Sequence, residues 1–221
     1  MLLVDKADDL DAPVAPQLDA SLARLGVRSI DLVLFHAVPD LEAWDRLAAP
    51  DGGFAQLTDE IGRGRARFRG ISSHHAAVLA AAVESGLCDA VMFPIGPIGD
   101  ARYTSQILPR ARDLGVGTIG MKVFAGGKLL GDTEGYQRPL SNRPRGKLSS
   151  GGVDDAEAAL PRLPVLDCVR YALTLDPDVA LLGLSFENEQ EDAFAAAVNA
   201  SPMTASELDD LRARALEAAR G

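Results

Sequence analysis

The chain predicts an α/β fold on a parallel sheet, and three observations carry that prediction. Six short apolar runs alternate with amphipathic stretches rich in alanine and leucine. The connections show no two-residue hairpin signals, which favours parallel pairing through right-handed crossovers. The runs are apolar on both faces, as a sheet covered on both sides requires. A doubly wound sheet and a (β/α) barrel both satisfy this pattern.

The elements follow in order. LLVD (2–5) reads as a strand. VAPQLDASLARL (14–25) places Leu18, Leu22 and Leu25 at helical spacing, and Gly26 supplies its stop. IDLVLFH (30–36) is the next strand and FAQLTDEIGRG (54–64) a helix. RFRGIS (67–72) is a strand, AAVLAAAVESG (76–86) a helix and DAVMFP (89–94) a strand. TSQILPRARDLG (104–115) is a helix whose start moves toward Pro109, because proline lacks the amide that a helix interior needs. VGTIGMKVF (116–124) is a strand, LPVLDCVRYALTL (163–175) a helix, VALLGLS (179–185) a strand and NEQEDAFAAAVNA (188–200) a helix. A last helix starts after Thr204, where Glu207 three residues on completes a capping box. The segment 126–160 breaks the rhythm. It is rich in Gly, Pro, Ser and charge and too long for an ordinary connection, so it reads either as a disordered insertion or as a lid over the strand ends.

Composition narrows the function. The chain has 221 residues, which fits a single domain over 1–221 with a substantial core. A net charge of −10 argues against nucleic acid, whose phosphates need a basic surface. Cys88 and Cys168 each lie in apolar surroundings without a CxxC spacing, so buried free thiols in a reducing, cytoplasmic setting are expected. The only paired histidines, His74 and His75, are adjacent and poorly placed to share an ion, so no metal site is expected. No apolar run reaches the roughly 18 residues that a membrane span needs.

Polar residues gather where strands end. Asp5 and Lys6 follow the first strand, His36 the second, and Ser72, Ser73, His74 and His75 the third. Met121 and Lys122 end the fifth, and Ser185 and Glu187 the sixth. In a parallel α/β protein these carboxyl ends share one face, where active sites are built. An ammonium beside an imidazole has a chemical use there: the one lowers a neighbouring acid's pKa and the other hydrogen-bonds a carbonyl oxygen. A solvent-exposed lysine and a histidine that simply leaves the core are the plainer alternatives.

Four stretches resemble the aldo-keto reductase family. LDASLARLGVRSIDLVLFHAV (18–38) is similar to its helix-to-strand signature, which ends in the catalytic histidine. ARFRGISSHH (66–75) resembles the strand and loop that hold the nicotinamide carboxamide. GVGTIGMKVFAGGKLLG (115–131) is similar to the strand carrying the ring-stacking residue, and 168–197 resembles the closing helix-strand-helix that grips the cofactor phosphates.

The resemblance implies a (β/α) TIM-type barrel, incomplete, with about six parallel strands visible. It places Lys6 and His36 in catalytic positions. It places Ser72, Ser73, Met121, Lys122, Ser185 and Gln190 at the cofactor. It implies an oxidoreductase that reduces a small aldehyde or ketone with NAD or NADP. Glu187 and Glu189 would repel an adenosine 2′-phosphate. The family's tyrosine and aspartate would fall upstream of Met1, so weak or absent turnover is expected. The second reading is a non-catalytic binding or assembly protein on a partial barrel. Its open sheet edges at 2–5 and 179–185 would invite pairing with another copy.

Overall fold

The computed structural model describes residues 2–130, 163–184 and 187–220. They fall into two compact units, Met1–Phe93 with Arg102–Ile119, and Pro94–Ala101 with Gly120–Gly221.

The first unit is a run of strand–helix repeats. Its strands are β1 (Val4–Ala7), β2 (Ile30–Phe35), β3 (Ala66–Ser72), β4 (Ala90–Pro94, all but its last residue) and the start of β5 (Gly117–Met121). Neighbours in the sheet follow chain order. The pairs from β1 to β4 are parallel, in the registers Lys6↔Leu34, Phe35↔Ile71 and Ser72↔Met92. The helices between them are α1 (Val14–Leu25), α2 (Leu41–Ala48), α3 (Gly53–Gly62), α4 (Ala76–Glu84) and α5 (Leu108–Leu114), the last preceded by a π-helical turn over Tyr103–Ile107.

Sequence chemistry explains these elements. Ile30, Leu32, Val33, Leu34 and Phe35 are all buried, so β2 is the apolar centre of this unit. Phe35 packs edge-on against Phe54, which in turn meets Trp44. α1 ends where Gly26 takes the left-handed conformation at φ 67°. α2 was not read from the sequence, though Asp40 marks its start: the carboxylate accepts the Ala43 amide at 2.8 Å. Pro109 falls in the first turn of α5, where its missing amide costs nothing.

Charges hold the amino-terminal side of this sheet. Asp31, the one acid in β2, accepts the Leu3 amide at 2.9 Å and the Arg67 guanidinium at 2.7 Å. Those contacts, the Leu3 amide first, hold its carboxyl below the ordinary carboxylate range. Glu60 is buried between Arg63 at 2.7 Å and Arg65 at 3.0 Å. The Arg65 contact is a charge pair without hydrogen-bond alignment.

The second unit holds the end of β5, followed in the sheet by β6 (Val179–Ala180), with α6 (Val165–Thr174), α7 (Glu187–Asn199) and α8 (Ala205–Arg220). The fifth strand is shorter than the sequence suggests because Lys122 turns left-handed at φ 58°. β6 is cut to two residues; Leu181 still donates to the Gly120 carbonyl at 2.7 Å, and Gly183 turns left-handed. The capping box at Thr204 forms as read: Glu207 accepts the Thr204 amide at 2.7 Å, and the Thr204 hydroxyl accepts the Glu207 amide at 3.3 Å. Cys88 and Cys168 are free and buried, and burial pushes both thiols up to about 12. Of the segment 126–160, residues 126–130 lie in a short 3₁₀ turn with Leu129 and Leu130 buried; the rest, Tyr136 included, lies outside the described residues.

Candidate active site

The first unit brings Lys6 and His36 to adjacent strand ends. Lys6 sits in β1 beside Leu34 of β2 and is half-buried. His36 follows β2 directly, and its amide donates to the Ala7 carbonyl at 2.9 Å. Its ring meets a residue that sequence reasoning missed. Nδ1 of His36 lies 2.5 Å from Oδ1 of Asp8, two residues beyond Lys6. The histidine side chain is 44% exposed, so one face of the imidazole remains open to solvent. No signal in the sequence pointed to it: the structure's register pairs Ala7 with Phe35, and that brings the next acid in the chain beside the ring.

The loop carrying His36 is held from the neighbouring strand. Ala37 adopts φ 52°, a left-handed backbone that costs a non-glycine residue about 1–2 kcal/mol. Two serines offset that cost. Ser72 Oγ accepts the Ala37 amide at 2.9 Å, and the Ser72 carbonyl accepts the Val38 amide at 2.9 Å. Ser73 Oγ donates to the Val38 carbonyl at 2.7 Å and accepts the His75 amide at 3.0 Å. Both serines are buried. Their hydroxyls thus brace the His36 loop, Ser72 as an acceptor and Ser73 as both donor and acceptor.

The remaining expected positions lie in the second unit. Met121 is buried at the end of β5, and its carbonyl accepts the Ile95 amide at 2.9 Å. Lys122, beside it, is exposed. Gly96 lies against the Lys122 and Val123 carbonyls, and a Cβ there would come within 2.6 Å of the first. Gln190 is exposed on α7 and its amide donates to the Leu184 carbonyl at 3.3 Å. Ser185 lies outside the described residues.

The two described tyrosines have other work. Tyr103 donates to the His74 carbonyl at 2.5 Å, and Tyr171 accepts from Arg212 at 2.9 Å. Among the described residues no group of three or more His, Cys, Asp or Glu side chains could hold a metal ion. No helix among them is long and apolar enough to cross a membrane.

Comparison with known proteins agrees with this layout. The chain aligns over 96% of its length with the aldo-keto reductase AKR11C1 from Bacillus halodurans. Its holo form gives 22% identity, a TM-score of 0.67 and coverage of 71% of that chain. The apo form gives a TM-score of 0.65 at the same identity and coverage. An aldo/keto reductase from Brucella melitensis aligns at 14% identity with a TM-score of 0.58, covering 96% of this chain and 73% of that one. These likenesses show the fold. Comparison with curated proteins gives no match. The sequence model of the aldo/keto reductase family matches residues 6–213, a span that runs from Lys6 through His36 and the serine pair to the last helix, and on that match the chain belongs to this family.

Proposed function

We propose that the protein interconverts a small aldehyde or ketone and its alcohol, with a nicotinamide dinucleotide as redox partner and His36 as the residue that handles the proton at the substrate oxygen. One observation carries this reading: an imidazole, half open to solvent, stands at the end of β2 beside the strand that carries Lys6. When bound, the dinucleotide supplies or accepts the hydride. Lys6 adds positive charge near the oxygen, which favours the developing alkoxide. Cofactor roles for Met121, Lys122, Ser185 and Gln190 rest on the resemblance of their segments. Ser72 and Ser73 act on the site through the loop they brace.

Turnover is expected to be slow. Among the described residues the Tyr103 and Tyr171 hydroxyls are engaged elsewhere, and the reading gives proton transfer to the histidine. A well-placed general acid is typically worth about 10²–10⁴-fold, which is the loss expected when a less suited donor replaces one. A surface edge for a second copy at β1 belongs to the same proposal only as a structural accessory, and light scattering would read it.

The test is product formation. The purified chain, supplied with NADH or NADPH and a panel of small aldehydes and ketones, is expected to yield the matching alcohols, slowly, with NADH preferred because Glu187 and Glu189 disfavour a 2′-phosphate. Absence of any alcohol across the panel, with either nucleotide, would reject the reading.

A further inference from the structure

The Asp8–His36 contact says more than that the ring is anchored. Asp8 is held on both sides. Before it, Ala7 pairs with Phe35 and accepts the His36 amide. After it, Asp9 closes a tight turn: its carboxylate accepts the amides of Asp11 at 3.0 Å and Ala12 at 3.1 Å. Gln17 fixes the Asp9 backbone, accepting its amide at 3.1 Å and donating to its carbonyl at 2.9 Å. His36 is held in turn by its own amide and by the Ser72 bond to Ala37. The 2.5 Å contact therefore joins two side chains whose backbones are both fixed.

A carboxylate accepts hydrogen bonds and has no proton to donate. Nδ1 must then carry the hydrogen, whether the ring is neutral or charged. A neutral imidazole with Nδ1–H has its lone pair on Nε2. We propose that Asp8 is the positioning residue of His36: it fixes the Nδ1–H tautomer and makes Nε2 the ring atom that exchanges a proton with the substrate oxygen.

This rests on the proposed reaction for its catalytic consequence, though not for the tautomer itself. The exchange balances in both directions. In alcohol oxidation the hydroxyl proton goes to the Nε2 lone pair, while the C–H bond breaks and its electron pair leaves as hydride to the oxidised nicotinamide. The ring becomes imidazolium, with its Nδ1–H still on Asp8. In reduction the carbonyl carbon gains the hydride, the oxygen gains the Nε2 proton, and the ring returns to neutral. The exposed face of His36 lets solvent restore the resting state. In this tautomer a neutral ring receives the proton at Nε2, as alcohol oxidation requires, and the imidazolium returns it from the same atom in reduction.

The test reads the tautomer directly. Long-range ¹H–¹⁵N spectra of the full chain, at about pH 8 where an ordinary imidazole is neutral, report which ring nitrogen bears hydrogen. His36 is assigned against His36→Gln, since only His74 and His75 otherwise contribute. The expected result is Nδ1–H in the wild type and a shift toward Nε2–H in Asp8→Ala, whose substituted site is surface-exposed and leaves the fold intact by circular dichroism. Steady-state kinetics of Asp8→Ala should lower kcat about tenfold or more and leave KM within about twofold, the pattern of a lost transition-state interaction. A wild-type ring protonated at Nε2, or a tautomer unmoved by Asp8→Ala, overturns the proposal. An Asp8-dependent tautomer in a chain that turns over no carbonyl supports the tautomer assignment and rejects the reaction above.

Discussion

Ser72 Oγ accepts the Ala37 amide at 2.9 Å, so the last residue of β3 holds the residue that follows His36 in a left-handed turn. The bond links sheet stability to site geometry. Ser72→Ala removes the acceptor of a part-buried hydrogen bond, and a typical one contributes about 0.5–1.5 kcal/mol net. We expect a lower urea midpoint by that amount with an unchanged slope. We also expect broadened His36 ring resonances, since the loop then has less reason to stay left-handed.

Gly70 pairs with Ala90 across β3 and β4, and a Cβ there would overlap the Ala90 carbonyl. The obstacle is backbone, which cannot swing aside as a side chain would. Gly70→Ala is expected to cost about 1–3 kcal/mol, the usual range for forced overpacking. Thermal unfolding followed by circular dichroism would read it. A variant as stable as the wild type would mean the two strands part more easily than their register suggests.

Acid should weaken the second unit through Glu207. Its carboxyl is held down at about 2 by the Thr204 amide first, then by Arg170 and the Thr204 hydroxyl. A carboxyl with a lowered native pKa stabilises the fold fully above its unfolded value of 4.5, and that contribution is lost as pH falls from there through about 2. Glu207→Gln should therefore be less stable than the wild type at neutral pH. The gap should close as the solution is acidified below pH 4.5, and denaturant titrations on both sides of that value measure it.

Cys88 and Cys168 should be silent in the native protein. Burial raises both thiols to about 12, so the reactive thiolate is scarce and shielded. A thiol reagent at mildly alkaline pH is expected to modify neither residue until denaturant is added, and then both. The same shift means that their contribution to stability is present below the unfolded thiol pKa and fades as pH rises toward 12. Rapid native labelling of either would show that its unit opens locally.

The sequence made most of the fold legible because the strands are buried on both faces. The run from Ile30 to Phe35 could hardly be anything but an interior strand, and Gly26, Pro109 and Thr204 punctuate helices by backbone chemistry alone. The short α2 escaped because eight residues carry little periodicity, and only Asp40 announced it. β6 was read too long because VALLGL is apolar throughout, while the strand spans only Val179–Ala180 and Gly183 turns left-handed three residues on. At the site, the positions of Lys6 and His36 could be read from strand ends. Asp8 could not, since its meeting with His36 depends on the register of two strands about 28 residues apart. Nor could the bracing role of Ser72 and Ser73, because a hydroxyl's partner is decided by the turn that the neighbouring loop takes.

The central claim is that His36 passes the proton at the substrate oxygen. The most direct measurement compares the rate of alcohol formation by the wild-type chain and by His36→Ala, with the same carbonyl at saturation and the same nucleotide. Loss of the proton donor should lower kcat by about 10²-fold or more, with nucleotide affinity preserved. Equal rates for the two proteins would contradict the account and move the chemistry to another group.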